Sequence, residues 1–163
     1  MNANEAIKQG METGQMISMS YVEDLSDEEM MHRPHPECNH IKWQIGHLIA
    51  SENHMIEGVA PKSMPALPDG FSGRYGKESA ASDNPDAFDS KADLLKIYHQ
   101  QRAGTLAALG KLTEEDLDKA APEEFQSFAP TVGAAFCLQG NHWLMHAGQW
   151  AVIRRQLGRP PLF

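Results

Sequence analysis

Apolar residues recur at helical spacing through four stretches of the chain, with proline and glycine concentrated between them. From about Asn4 to Leu25 there is no proline, and Ile7, Met11, Ile17, Val22 and Leu25 predict a first helix, weakened by Gly10 and Gly14. Ser26-Asp27-Glu28-Glu29 has the form of a capping box that opens a short turn, stopped at Arg33-Pro34-His35-Pro36. A second proline-free stretch predicts a helix from about Ile41 to Gly58. Residues 59–89 hold Pro61, Pro65, Pro68 and Pro85 with no sustained period, and are expected to form a long loop, either a lid or a solvated connection. Ser90 caps a third helix that runs to Gly110, read as its C′ residue, and Thr113-Glu114-Glu115-Asp116 opens a short one. The last helix spans about Thr131 to Leu157, closed by Gly158 and Pro160-Pro161.

Four long helices without a strand pattern predict an all-α four-helix bundle. The 163 residues suffice for one domain with its own core, so neither a disulfide nor a structural metal is needed for folding. A capping box after the first helix and another after the third, each followed by a proline-bearing linker and a histidine-bearing helix, suggest two related helix pairs. Charge narrows the partners. With 14 basic and 22 acidic residues the net charge is −8, which argues against nucleic acid and anionic membranes. No apolar stretch approaches the ~18 residues of a bilayer span, and the first residues lack the pattern of a signal peptide. Cys38 and Cys137 form no CxxC pair and are expected to be free thiols in the cytoplasm, with Cys137 a small core residue.

The eight histidines are the unusual feature. His142 and His146, four apart on the last helix, project from one face, a spacing that suits two imidazoles converging on one metal ion. On a helical wheel they fall among Leu138, Met145, Ile153 and Leu157, an apolar stripe in which unpartnered imidazoles are costly. The glutamate of the HExxH pattern is missing, so a zincin protease is excluded, and no GxSxG, P-loop or GxGxxG pattern occurs. A third ligand must come from elsewhere. His40, His47 and His54 recur every seven residues along the second helix. His40 and His54 lie near its ends, where water reaches them, and His47 at mid-helix flanks the apolar arc beside Trp43, Ala50 and Ser51. Lys42, Gly46, Asn53 and Glu57 form the polar face. Glu52 lies nearer the middle of the arc, where it either orients or joins a ligand histidine or forms a salt bridge within the bundle or at a subunit interface.

Trp43-Gln44-Ile45-Gly46-His47-Leu48-Ile49 resembles the W-x-x-G-H-L signature of the DinB/YfiT-like proteins. Asn141-His142 through His146-Ala147-Gly148-Gln149 resembles their H-x-x-x-H-x-G-Q signature, and Leu112-Thr113-Glu114-Glu115-Asp116-Leu117 the phrase after their third helix. The resemblance covers nearly the whole chain. It implies an up-down-down-up bundle, commonly dimeric, with a divalent transition metal held by His47, His142 and His146. Zinc or nickel suits three nitrogens best, and iron or manganese is compatible. It further implies a small-molecule substrate, with a low-molecular-weight thiol as cosubstrate where the protein is a thiol-dependent S-transferase, or a related hydrolase. The alternative is a non-catalytic metal-binding dimer of the stress response.

Overall fold

Asn2 caps the first helix, which starts one residue before the expected position and ends at Val22, three residues short of Leu25. In the computed structural model, which describes residues 1–163, the Asn2 side chain accepts from the Glu5 amide at 2.9 Å while Glu5 accepts from the Asn2 amide at 3.0 Å. The elements in order are α1 (Ala3–Val22), α2 (Ile41–Val59), α3 (Phe71–Arg74), α4 (Lys91–Leu109), α5 (Glu114–Leu117) and α6 (Val132–Gln156). The structure is all-helical. Four helices are long, α3 and α5 are single turns, and the only strand-like pairing is one bridge between Ala120 and Thr131. Ser90, Thr113 and Thr131 each cap the helix they precede. The Ser26 box forms as expected but opens only a tight 3-10 turn at Glu29–Met31. Gly158 takes φ +74° and ends α6, whereas Gly110 stays right-handed at φ −64° as the last turn of α4 tightens, so it is not the left-handed cap expected.

α1 packs chiefly on α6, and α2 packs on both α4 and α6. Gly14 weakens α1 as an isolated helix but lets it approach α6, and Gly140 does the same from the facing helix. A Cβ on Gly14 would stand 2.8 Å from the Gly140 carbonyl oxygen, and one on Gly140 would stand 3.1 Å from that of Gly10. At Gly14 the propensity loss of about 1 kcal/mol is offset by this backbone contact.

The connection between α2 and α4 is not the structureless loop expected. It contains α3 and two 3-10 turns, and it sends Phe71, Tyr75 and Phe88 into the largest core cluster beside Ile45, Leu94 and Trp143. Burial of each phenylalanine contributes about 1.5–3 kcal/mol, which holds the segment in place without a helical period of its own. Polar ties reinforce it. Arg33 donates to the carbonyls of Cys38, Ala80 and Ser82, Arg74 donates to both Asp89 oxygens, and the Tyr75 hydroxyl donates to Asp89 at 2.8 Å.

Two residues expected on the polar face of α2 are buried. Lys42 pairs with Asp27, and Gly46 carries the ring of Tyr75. A Cβ at Gly46 would stand 2.2 Å from that ring, so Gly46→Ala must displace α3. Overpacking of this kind costs about 1–3 kcal/mol, outweighing a gain of at most ~1 kcal/mol in helix propensity. Urea unfolding should therefore show a lower midpoint for Gly46→Ala, and an equal or higher midpoint would contradict this packing.

Candidate metal centre

α2 and α6 bring three imidazoles together. His142 and His146 stand one turn apart with ring centroids 5.0 Å from each other, and helix packing places the His47 ring 5.6 Å from His142 and 5.9 Å from His146. One candidate ligand nitrogen from each lies within 4.8 Å of the other two. His47 and His142 are half-buried and His146 is buried, so the trio is open on one side.

The histidines do not lie in the middle of the apolar face of α6 as expected. The buried side is centred on Trp143, Ala147 and Trp150, about 80–140° round the helix from His142. Met145, counted in the expected stripe, is 60 % exposed, and Cys137, expected in the core, is exposed. The imidazoles thus occupy the flank of the interface, where a ligand can reach them.

The other sequence candidates fall away from the cluster. His40 is fully buried, contrary to the expectation of water contact, because its Nδ1 accepts from the Trp43 amide to cap α2 and its ring packs edge-on against Phe88. His54 is exposed, 3.7 Å from Glu124. Glu52 touches no histidine. Its carboxylate accepts from Arg102 at 2.9 Å, Thr105 at 2.6 Å and Trp143 at 3.2 Å, so the salt bridge is the alternative that holds and the ligand-orienting one does not.

Two positioning contacts are completed by groups distant in the sequence. Trp43 stacks on His47 with centroids 4.9 Å apart and planes 6° from parallel, and its indole nitrogen is held by the Gly76 carbonyl and the Ser79 hydroxyl. The wall after α2 therefore supports a candidate ligand indirectly. Gln44, fully buried, places Oε1 2.8 Å from His146 Nδ1. It lies inside the W-x-x-G-H-L phrase, but only the fold shows what it meets.

Burial holds the imidazoles in the neutral form. The His47 pKa is lowered, and His142 and His146 are brought to about 4, first by desolvation and then by the neighbouring imidazoles. Three neutral nitrogen donors, with no carboxylate in the cluster, match the donor chemistry of a divalent transition metal, so these residues could hold one. Beside His47 lies a cleft of about 540 Å³ between α2 and α3, lined by Trp43, Ser51, Ser72, Tyr75 and Lys77 among others. A second groove of about 470 Å³, between α1 and α4, contains Met16, Met19 and Leu95 but none of the trio, so it is separate from the metal centre.

These pKa shifts predict an acid sensitivity. Burial also brings His40 to about 4, so three histidines titrate well below the unfolded value near 6.5. Above that value both states are neutral and the stability is full. As pH falls from about 6.5 towards 4, the unfolded chain binds protons that the folded protein refuses, and stability is lost. In metal-free protein the urea midpoint should drop between about pH 7 and 5, above the range in which the lowered carboxylates titrate. A flat midpoint across that interval would contradict burial of neutral imidazoles.

No curated protein matches the chain. The sequence model of the DinB superfamily matches residues 11–150, a span that takes in all three histidines of the trio and the wall between α2 and α4. By that match the chain belongs to the DinB superfamily.

Proposed function

We propose that the protein is a metal-dependent enzyme, a thiol-dependent S-transferase or a related hydrolase, with His47, His142 and His146 as the ligands of a divalent transition metal. The observation that carries this reading is three neutral imidazoles within 4.8 Å of one another at the edge of a cleft of about 540 Å³. A three-nitrogen protein set leaves coordination positions open, as catalytic sites do and closed structural sites do not. Zinc or nickel suits the donors best, and iron or manganese is compatible. When bound, such a metal supplies the Lewis acidity that keeps a thiol or water deprotonated near neutral pH.

The chain's own residues have separate tasks in this scheme. His47 joins the metal cluster to the cleft wall. Trp43 and Tyr75 give that wall apolar surface that excludes water, the Ser51 and Ser72 hydroxyls offer hydrogen bonds to a substrate, and Lys77 adds a cation. Neither cysteine belongs to the cluster or the cleft, so the thiol is a small-molecule cosubstrate. The fold that goes with this reading is an up-down-down-up bundle, supported by the long connection of residues 60–90, which neighbouring parallel helices need. We further propose a cytoplasmic homodimer. No helix is long and apolar enough to cross a membrane, and the dimer is tested by light scattering against the 18.1 kDa of one chain.

The cleft lining contains no carboxylate that could act as a general base, and this favours a second reading, a metal-binding dimer without catalysis. Elemental analysis of untagged protein, followed by turnover assays with glutathione or cysteine and chlorodinitrobenzene, separates the two. Thiol-dependent turnover that requires the metal supports the transferase. Stoichiometric metal without turnover of this or hydrolysable ester probes supports the second reading, and absence of metal binding overturns both.

A further inference from the structure

We propose that Gln44 is a positioning residue that holds His146 in its Nδ1–H tautomer and leaves Nε2 as the nitrogen free to bind a metal. The assignment follows from donor chemistry. The Trp150 indole N–H can only donate, and it lies 2.8 Å from one end of the Gln44 amide, which must therefore be the oxygen. The other end is then the NH2 group, which matches its contact with the Asn39 carbonyl, a group that can only accept. The Gln44 oxygen is also 2.8 Å from His146 Nδ1. Two acceptors do not bond, so Nδ1 carries the hydrogen. A neutral imidazole has one N–H, and Nε2 keeps its lone pair.

Nothing at the site can reverse these roles. Gln44 and Trp150 have no exposed surface and His146 is 8 % exposed, so water does not compete for the contact. Rotating the amide would set its NH2 group against the indole N–H and its oxygen against the Asn39 oxygen, spoiling two buried bonds at once. The chain of contacts from the Asn39 carbonyl through Gln44 to Trp150 and His146 also ties the start of α2 to α6. The helix that supplies His47 thereby sets the ring state of a residue 102 positions away.

The consequence for metal affinity rests on the three-histidine reading, but the tautomer does not, and the experiment separates them. Long-range proton–nitrogen NMR of metal-free, histidine-labelled protein at about pH 8, above the ordinary histidine range, reads the tautomer directly. The His146 signals, assigned by their loss in His146→Ala, should show a protonated Nδ1 and an unprotonated Nε2. Gln44→Leu should lose this single tautomer and lower zinc affinity about 10–100-fold, as removal of a ligand's outer partner does. Gln44→Glu keeps an acceptor for Nδ1 and, protonated on the oxygen that faces the Asn39 carbonyl, should preserve both the tautomer and zinc binding. A protonated Nε2 in the unaltered protein would overturn the proposal, as would a folded Gln44→Leu variant with unchanged tautomer and zinc affinity. Failure of the unaltered protein to bind zinc, with the Nδ1–H tautomer present, would overturn the metal reading and uphold the role of Gln44 in setting the ring.

Discussion

Replacing Glu52 with leucine should lower the stability of the protein by about 3–5 kcal/mol, because it leaves a guanidinium buried without its counter-charge. Arg102 is 2 % exposed and Glu52 is 1 % exposed, and their bond of 2.9 Å joins α4 to α2. Arg102 has no other ion pair. Its Nε and Nη1 find no hydrogen-bond acceptor, and the group lies 5.7 Å from the ring centre of Tyr98 and 6.0 Å from that of Trp143. Aromatic faces stabilise a cation by about 0.5–2 kcal/mol, too little to replace the carboxylate. Glu52→Leu also strips acceptors from the Thr105 hydroxyl and the Trp143 indole. Domains of ordinary stability have about 5–15 kcal/mol in total, so the loss is a large share. The double variant Glu52→Leu, Arg102→Met should recover most of it, since exchanging both partners for apolar side chains is often neutral or stabilising. Urea unfolding of the two variants provides the test. A single variant within about 1 kcal/mol of the unaltered protein would contradict the isolation of Arg102.

The variant His47→Ala, His146→Ala should change metal content from near one ion per chain to none, with any turnover lost in parallel. One ligand comes from α2 and the other from α6, so the variant leaves only His142, and a single imidazole does not hold a divalent ion stoichiometrically. The fold should persist. The main core is built on Trp143, Trp150, Ile45, Leu94 and their neighbours and does not include either histidine. A chain of 163 residues does not need a metal to close its core. Elemental analysis of protein purified without an affinity tag, with circular dichroism as the control, checks both halves. Stoichiometric metal in a helical double variant would place the binding site elsewhere.

The positions of the helices were legible because their signals are local. Ser90, Thr113 and Thr131 cap the elements that follow them, and Gly158 ends the last one in the left-handed conformation. Each signal operates within about one turn of the chain, the range over which backbone hydrogen bonds and caps are made. The pairing of His142 with His146 was legible for the same reason, since four residues on a helix is one turn. Which histidine of α2 joins them was not a local matter. The seven-residue recurrence offered His40, His47 and His54, the mid-helix position and then the family motif favoured His47, and the fold sends His40 to a cap and His54 to the surface.

Periodicity misjudged faces where the deciding contact is distant. Lys42, expected on the polar face, is buried because Asp27 meets it, and Met145, expected in the apolar stripe, is exposed, whereas Glu52 is buried as its place in the arc implied, with Arg102 as its partner. Gly14 and Gly46 weaken a helix when judged by propensity, yet one admits the backbone of α6 and the other the ring of Tyr75. By itself the sequence determined the long helices, one pair of candidate ligand histidines and membership of the superfamily. The tertiary structure alone decided that residues 60–90 form a packed wall, that this wall anchors the Trp43 indole, that Gln44 meets His146, and that Glu52 pairs with Arg102. The physical reason is range: hydrophobic period and capping depend on neighbours within a few residues, whereas these contacts join groups 33 to 102 positions apart and exist only once the helices have packed.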